Sequence, residues 1–119
     1  MASIKPLTPI ELSNIVNDND ECAKYQIVDV REPHELLALS IENPNIMNLP
    51  LSKAEEWQPS VAESKILSKD KPVVCLCRSG GRSMKFATFL SSVGYPDIYN
   101  VEGGMMAYAN EVESGVKRS

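Results

Sequence analysis

The chain has 119 residues, 43% hydrophobic and 24% charged, and a net charge of -4, an ordinary balance for one soluble domain spanning residues 1–119 that argues against nucleic acid as a general partner. No apolar run nears the roughly 20 residues of a membrane helix, and Met1-Ala2-Ser3-Ile4-Lys5-Pro6 lacks a signal-peptide core. The expectation is a soluble, cytoplasmic protein with no membrane partner, or an organellar one if a transit peptide has been removed.

Thr8-Pro9-Ile10-Glu11 opens the first helix: Thr8 is the N-cap, Pro9 takes the first helical position, and Glu11 completes a capping box. Ile10, Ile15 and Val16 are expected on its buried face, and the polar run 17–21 ends it. Residues 26–30 read as a buried strand of a parallel sheet, which sets Asp29 and Arg31 at its C-terminal end, the side where sites form in open α/β sheets. Residues 33–39 can make a short helix, 41–44 are expected to be irregular, and 45–49 form a strand. Two helical pieces, 52–58 and 61–67, are separated by Pro59. Pro72 leads the central strand to Leu76. Phe86, Ala87, Leu90 and Val93 then recur at helical spacing, with Gly94 in the place of a left-handed C-cap. A last strand over 97–101 turns at Gly103 and Gly104 into a closing helix over 105–112. Strands alternating with helices predict an α/β fold, a parallel sheet covered on both faces.

Between the central strand and the helix after it lies Cys77-Arg78-Ser79-Gly80-Gly81-Arg82-Ser83. The first turn of a helix leaves backbone N–H groups unpaired and presents the positive end of the macrodipole, so anions are favoured there. If Gly80 and Gly81 let the loop curl, its N–H groups converge on the cysteine sulfur, and Arg78 and Arg82 add full charges. A thiol in that field ionises below its free value of about 8.5, and the thiolate is the nucleophile. Cys77 is thus the candidate nucleophile, and Arg78, Ser79, Gly80, Gly81, Arg82 and Ser83 are the candidate substrate cradle. Cys22 and Cys75 read as small buried hydrophobes. Asp29, Arg31 and Glu35 read as an ion-pair support beneath the site. His34 is the only histidine and has no ligand cluster around it, so no metal is expected.

The loop resembles the active-site loop of the rhodanese family. The resemblance extends through Asp29-Val30-Arg31-Glu32-Pro33-His34-Glu35, Asn48-Leu49-Pro50-Leu51, Gly94-Tyr95, Ile98-Tyr99-Asn100-Val101 and Gly103-Gly104. It implies a rhodanese-like α/β fold with a central parallel sheet of about five strands. It also implies a sulfurtransferase that carries sulfur as a persulfide on Cys77, from a small-molecule donor such as thiosulfate to cyanide, a thiol or a protein acceptor. No cofactor is expected, and the chain is expected to act as a monomer. Two departures stand out. Residues 40–46 lack the family's usual Gly-His-Ile turn, and Tyr108 stands where a tryptophan is common.

A cysteine phosphatase is the first competing reading, because certain cell-cycle phosphatases share the fold. Those enzymes place five residues between cysteine and arginine, and here Arg78, Ser79, Gly80 and Gly81 make a shorter loop. A binding module without catalysis is the second, and an intact nucleophile argues against it.

Overall fold

The computed structural model describes residues 3–112 and 114–118. In chain order the elements are β1 (Ile4–Leu7), α1 (Pro9–Val16), α2 (Asn19–Cys22), β2 (Gln26–Asp29), α3 (Pro33–Ala38), β3 (Leu39–Ile41), β4 (Met47–Asn48), a 3-10 turn (Leu51–Lys53), α4 (Ala54–Ala62), β5 (Val73–Leu76), α5 (Gly81–Ser92), β6 (Ile98–Val101), α6 (Gly104–Glu111) and β7 (Val116–Arg118). The main sheet has the order β1-β6-β5-β2-β4, and every pairing in it is parallel. From β2 the chain crosses outward to β4, then returns over β2 to β5 and moves the other way to β6. The C-terminal ends of β2 and β5 therefore flank the point where the winding reverses, the place where an open sheet leaves a crevice.

β5 is buried along its whole length, and its side chains alternate between two cores. Val74 and Leu76 join Leu12, Ile15, Val101, Met105 and Tyr108 under α1 and α6. Val73, Cys75 and Cys77 join Trp57, Val61, Phe86, Leu90 and Ile98 under α4 and α5. Each fully buried side chain of this kind contributes about 2 kcal/mol through removal from water. Cys77 is thus both the last residue of a packed strand face and the first of the loop.

The capping box at Thr8 and Glu11 forms as expected. Ile10 does not join the core, being 49% exposed; Leu12 takes its place. The polar run after α1 does more than stop a helix, because Asp18 accepts from the backbone N–H groups of Asp20 and Glu21 and starts α2. α4 passes through Pro59 instead of breaking there. Trp57 and Val61, one turn apart, are both buried, and Trp57 Nε1 donates to the Pro50 carbonyl at 2.8 Å, so packing outweighs the missing N–H. The helix expected over 61–67 is consequently absent beyond Ala62, and Ser64 takes a positive φ of 58°.

The fifth strand of the sheet is β1, which the amino-acid pattern did not announce. It contains Pro6, tolerated because β1 is an edge strand pairing only with β6. Residues 39–41, expected partly as irregular chain, pair antiparallel with β7 in a separate two-stranded sheet.

Candidate active site

β5 delivers Cys77 to the C-terminal edge of the sheet, and α5 starts at Gly81, two residues earlier than the helix expected near Ser83. Gly80 is the N-cap with φ 107°, a conformation that bends the loop back over the sulfur and that a side chain would strain. Its N–H donates to Cys77 Sγ at 3.0 Å, and the Ser83 hydroxyl lies 3.2 Å from the same sulfur. Cys77 itself is 1% exposed. Burial alone would push its thiol up. The Ser83 hydroxyl and the backbone N–H groups of Ser83, Gly80 and Ser79 outweigh burial, and the thiol ends below its ordinary value. The loop thus curls at Gly80 and brings that N–H and the Ser83 hydroxyl onto the sulfur.

The two arginines have different surroundings. Arg82 lies in the first turn of α5, not before it, and its guanidinium makes a two-pronged ion pair with Glu35 of α3, Nη1 to Oε1 at 2.6 Å and Nη2 to Oε2 at 2.7 Å. The Glu35 carboxyl is pulled down to about 2, first by the hydrogen bonds from Arg82, against the opposing effect of burial. The Arg82 guanidinium thus braces the loop against α3. Arg78 is exposed and lines a cavity of about 290 Å³, between His34 and Glu35 of α3 and Met105 and Met106 of α6. Ser79 and Gly81 are exposed at the loop surface.

The support read as one group from Asp29, Arg31 and Glu35 is divided in two. Asp29 and Arg31 form a buried pair with Nη2 to Oδ2 at 2.8 Å, and Arg31 Nη1 donates to the Leu39 carbonyl at 2.7 Å. Glu35 turns to Arg82 instead and meets Arg31 only through its backbone carbonyl at 3.4 Å. Asn48 Nδ2 donates to the carbonyls of Asp29 and Arg31, both at 2.9 Å, tying the end of β2 to β4.

Asn100 of β6 escaped the reading of the residues. Its Oδ1 accepts from Ser83 Oγ at 2.5 Å and its Nδ2 donates to the Gly80 carbonyl at 3.2 Å, so it touches both neighbours of the sulfur. A polar residue inside Ile98-Tyr99-Asn100-Val101 was the available signal, since a buried amide in such a strand must have partners. Cys22 and Cys75 are buried free thiols, and burial pushes Cys75 far up. Among the described residues, no cluster of His, Cys, Asp and Glu could hold a metal ion, and no helix is long and apolar enough to cross a membrane.

The sequence profile of the rhodanese-like domain matches residues 11–111. A chloroplastic rhodanese-like/PpiC domain-containing protein of Arabidopsis thaliana is 33% identical over 113 residues, which are 95% of this chain but 36% of that protein. The chain thus spans about a third of that relative. A Bacillus subtilis protein named provisionally as sulfurtransferase YtwF is 32% identical over 92% of this chain and 95% of its own length. The crystal structure of a rhodanese-related protein from Thermoplasma volcanium superposes with a TM-score of 0.71 at 30% identity, over 97% of this chain and 99% of that one.

Proposed function

The chain belongs to the rhodanese-like domain family, and from that membership together with its loop geometry we propose a thiosulfate sulfurtransferase working through Cys77. The observation that carries the proposal is the sulfur at the focus of donors, with the Gly80 N–H at 3.0 Å and the Ser83 hydroxyl at 3.2 Å. In the first step the Cys77 thiolate attacks the outer sulfur of thiosulfate. The sulfur–sulfur bond of the donor breaks, and sulfite leaves with its electron pair. The transferred sulfur remains as a persulfide whose negative charge lies in the field of the loop N–H groups and the α5 N-terminus. In the second step cyanide or a thiolate attacks that outer sulfur, the bond to Sγ breaks, and Cys77 returns as thiolate.

The short span between Cys77 and Arg82, and the commitment of the Arg82 guanidinium to Glu35, favour a sulfur-sized ring over the wider one that a phosphoryl group needs. The plant relative is named for the chloroplast, and this chain would work in the cytoplasm or in the aqueous space of such an organelle, as a monomer.

The test is transfer from thiosulfate to cyanide, followed as thiocyanate. Wild-type protein should turn over, Cys77→Ser should be inactive while still folded, and Cys75→Ser and Cys22→Ser should retain activity. Turnover by Cys77→Ser comparable to wild type contradicts the proposal.

A further inference from the structure

Ser83 is fully buried, and its hydroxyl oxygen has three acceptors in reach: Asn100 Oδ1 at 2.5 Å, Cys77 Sγ at 3.2 Å and the Gly80 carbonyl at 3.2 Å. A hydroxyl carries one proton and donates to one acceptor at a time. The shortest of the three contacts goes to Asn100. The amide is held in this orientation, since its Nδ2 donates to the Gly80 carbonyl and a flip would set Oδ1 against that carbonyl. Among the described residues, Ser83 is the donor that Asn100 Oδ1 has, and Asn100 is 9% exposed, so water replaces that donor poorly.

We propose that Asn100 is a positioning residue that competes with Cys77 for the Ser83 proton: the hydroxyl rests on Asn100 while the sulfur is neutral and turns to Sγ when the thiol ionises. Turning strips Oδ1 of its donor, which opposes ionisation. Through its Nδ2 the same side chain fixes the Gly80 carbonyl, and with it the neighbouring N–H that faces the sulfur. Once the transferred sulfur is bonded to Sγ, that atom carries no charge and the hydroxyl returns to Asn100. The side chain of β6 thereby separates a resting from a reactive state of the cysteine without touching the substrate. Besides the loop N–H groups, the titratable and charged side chains acting on this sulfur among the described residues include Arg82 of α5, itself held by Glu35 of α3, and Cys75 of β5, and the test alters none of these three side chains.

The inference rests on Cys77 as the sulfur carrier for its purpose, but it is tested by thiol titration with no donor present, so failure of sulfur transfer and failure of this inference are separate results. The rate of Cys77 alkylation by iodoacetamide is followed against pH, with Cys77→Ser as the blank. Asn100→Leu should lower the ionisation midpoint by about one pH unit, roughly tenfold in the ionisation constant, because the hydroxyl is freed for the sulfur. In a Ser83→Ala background the same substitution should leave the midpoint unchanged or raise it. Unchanged or raised midpoints in both backgrounds overturn the proposal. The unmutated protein supplies a readout that does not depend on folding of variants: the side-chain carbonyl carbon shift of Asn100, followed by NMR, should titrate with the Cys77 midpoint. A shift that stays flat through that midpoint contradicts the competition.

Discussion

The turn from β5 into α5 and the turn from β6 into α6 use one local device. In each, a glycine in the left-handed region, Gly80 with φ 107° and Gly103 with φ 70°, serves as N-cap without a capping side chain. They differ in what the exposed N–H groups meet. The first turn is longer, running from Cys77 to Gly80, and it bends the Gly80 N–H onto Sγ. The second has only Glu102 and Gly103 between strand and helix, and the α6 N-terminus is occupied by the first: the Met105 N–H donates to the Cys77 carbonyl at 2.8 Å and the Met106 N–H to the Arg78 carbonyl at 2.9 Å. At one helix start the Gly80 N–H faces the sulfur, and the neighbouring helix start holds the back of that loop.

The most severe way to break this pairing is at Gly104, which has φ 59° and where a Cβ would lie 2.5 Å from the Cys77 oxygen and 2.6 Å from the Arg78 carbonyl. Backbone cannot move aside as a side chain can. Gly104→Ala should cost roughly 3 kcal/mol of stability, combining overpacking with strain, and should remove most sulfur transfer. Gly80→Ala faces strain alone, since its Cβ would find nothing nearer than 3.8 Å, so about 1 to 2 kcal/mol is expected. Urea unfolding of the two variants measures the order, and equal losses would show that the close approach at Gly104 does not hold the loop.

A milder intervention acts on the front of the cradle. Arg82→Ala releases the loop from α3 and should lower transfer by roughly one to two powers of ten, the size of a lost charge-assisted hydrogen bond. Glu35→Gln should reproduce part of that defect, because it weakens the same pair. Arg78→Ala, on an exposed residue, should cost about 1 kcal/mol or less, and the remaining effect should fade with salt. Donor kinetics at two salt concentrations compare the three, and an Arg78→Ala defect as large as that of Arg82→Ala reverses the roles.

An effect of similarly small size is expected in pH. The Glu35 carboxyl is depressed from 4.5 to about 2 in the folded protein, so its pair with Arg82 stabilises fully above about pH 4.5 and loses that contribution as pH falls toward 2. Both side chains are partly open to solvent, which limits the contribution to about 1 kcal/mol. The stability difference between wild type and Glu35→Gln should therefore shrink on acidification. A gap that stays constant from neutral pH to about pH 3 contradicts the assignment.

The Cys77 loop could be read from the residues because its signals are local: an apolar strand, two glycines and a helical repeat in sequence. Gly94 and the capping box at Thr8 and Glu11 were legible for the same reason. Asn100 was not, because its contacts depend on the β5–β6 register, which sets it opposite Cys75. The Arg82–Glu35 pair spans 47 residues and depends on where α3 lies after the crossover. α4 was misread at Pro59 because local propensity argued for a break and tertiary packing of Trp57 and Val61 prevailed. β1, β3 and β7 are short edge pieces whose pairing partners, not their composition, make them strands.

The measurement that reaches the central claim most directly is intact-mass analysis after incubation with thiosulfate and removal of free donor. The wild-type protein should gain the mass of one sulfur atom, located to Cys77 by peptide mapping, and lose it on addition of cyanide. Cys77→Ser should gain none. A sulfur adduct on Cys22 or Cys75, or an adduct of equal yield in Cys77→Ser, would contradict the assignment of the persulfide to the β5–α5 loop.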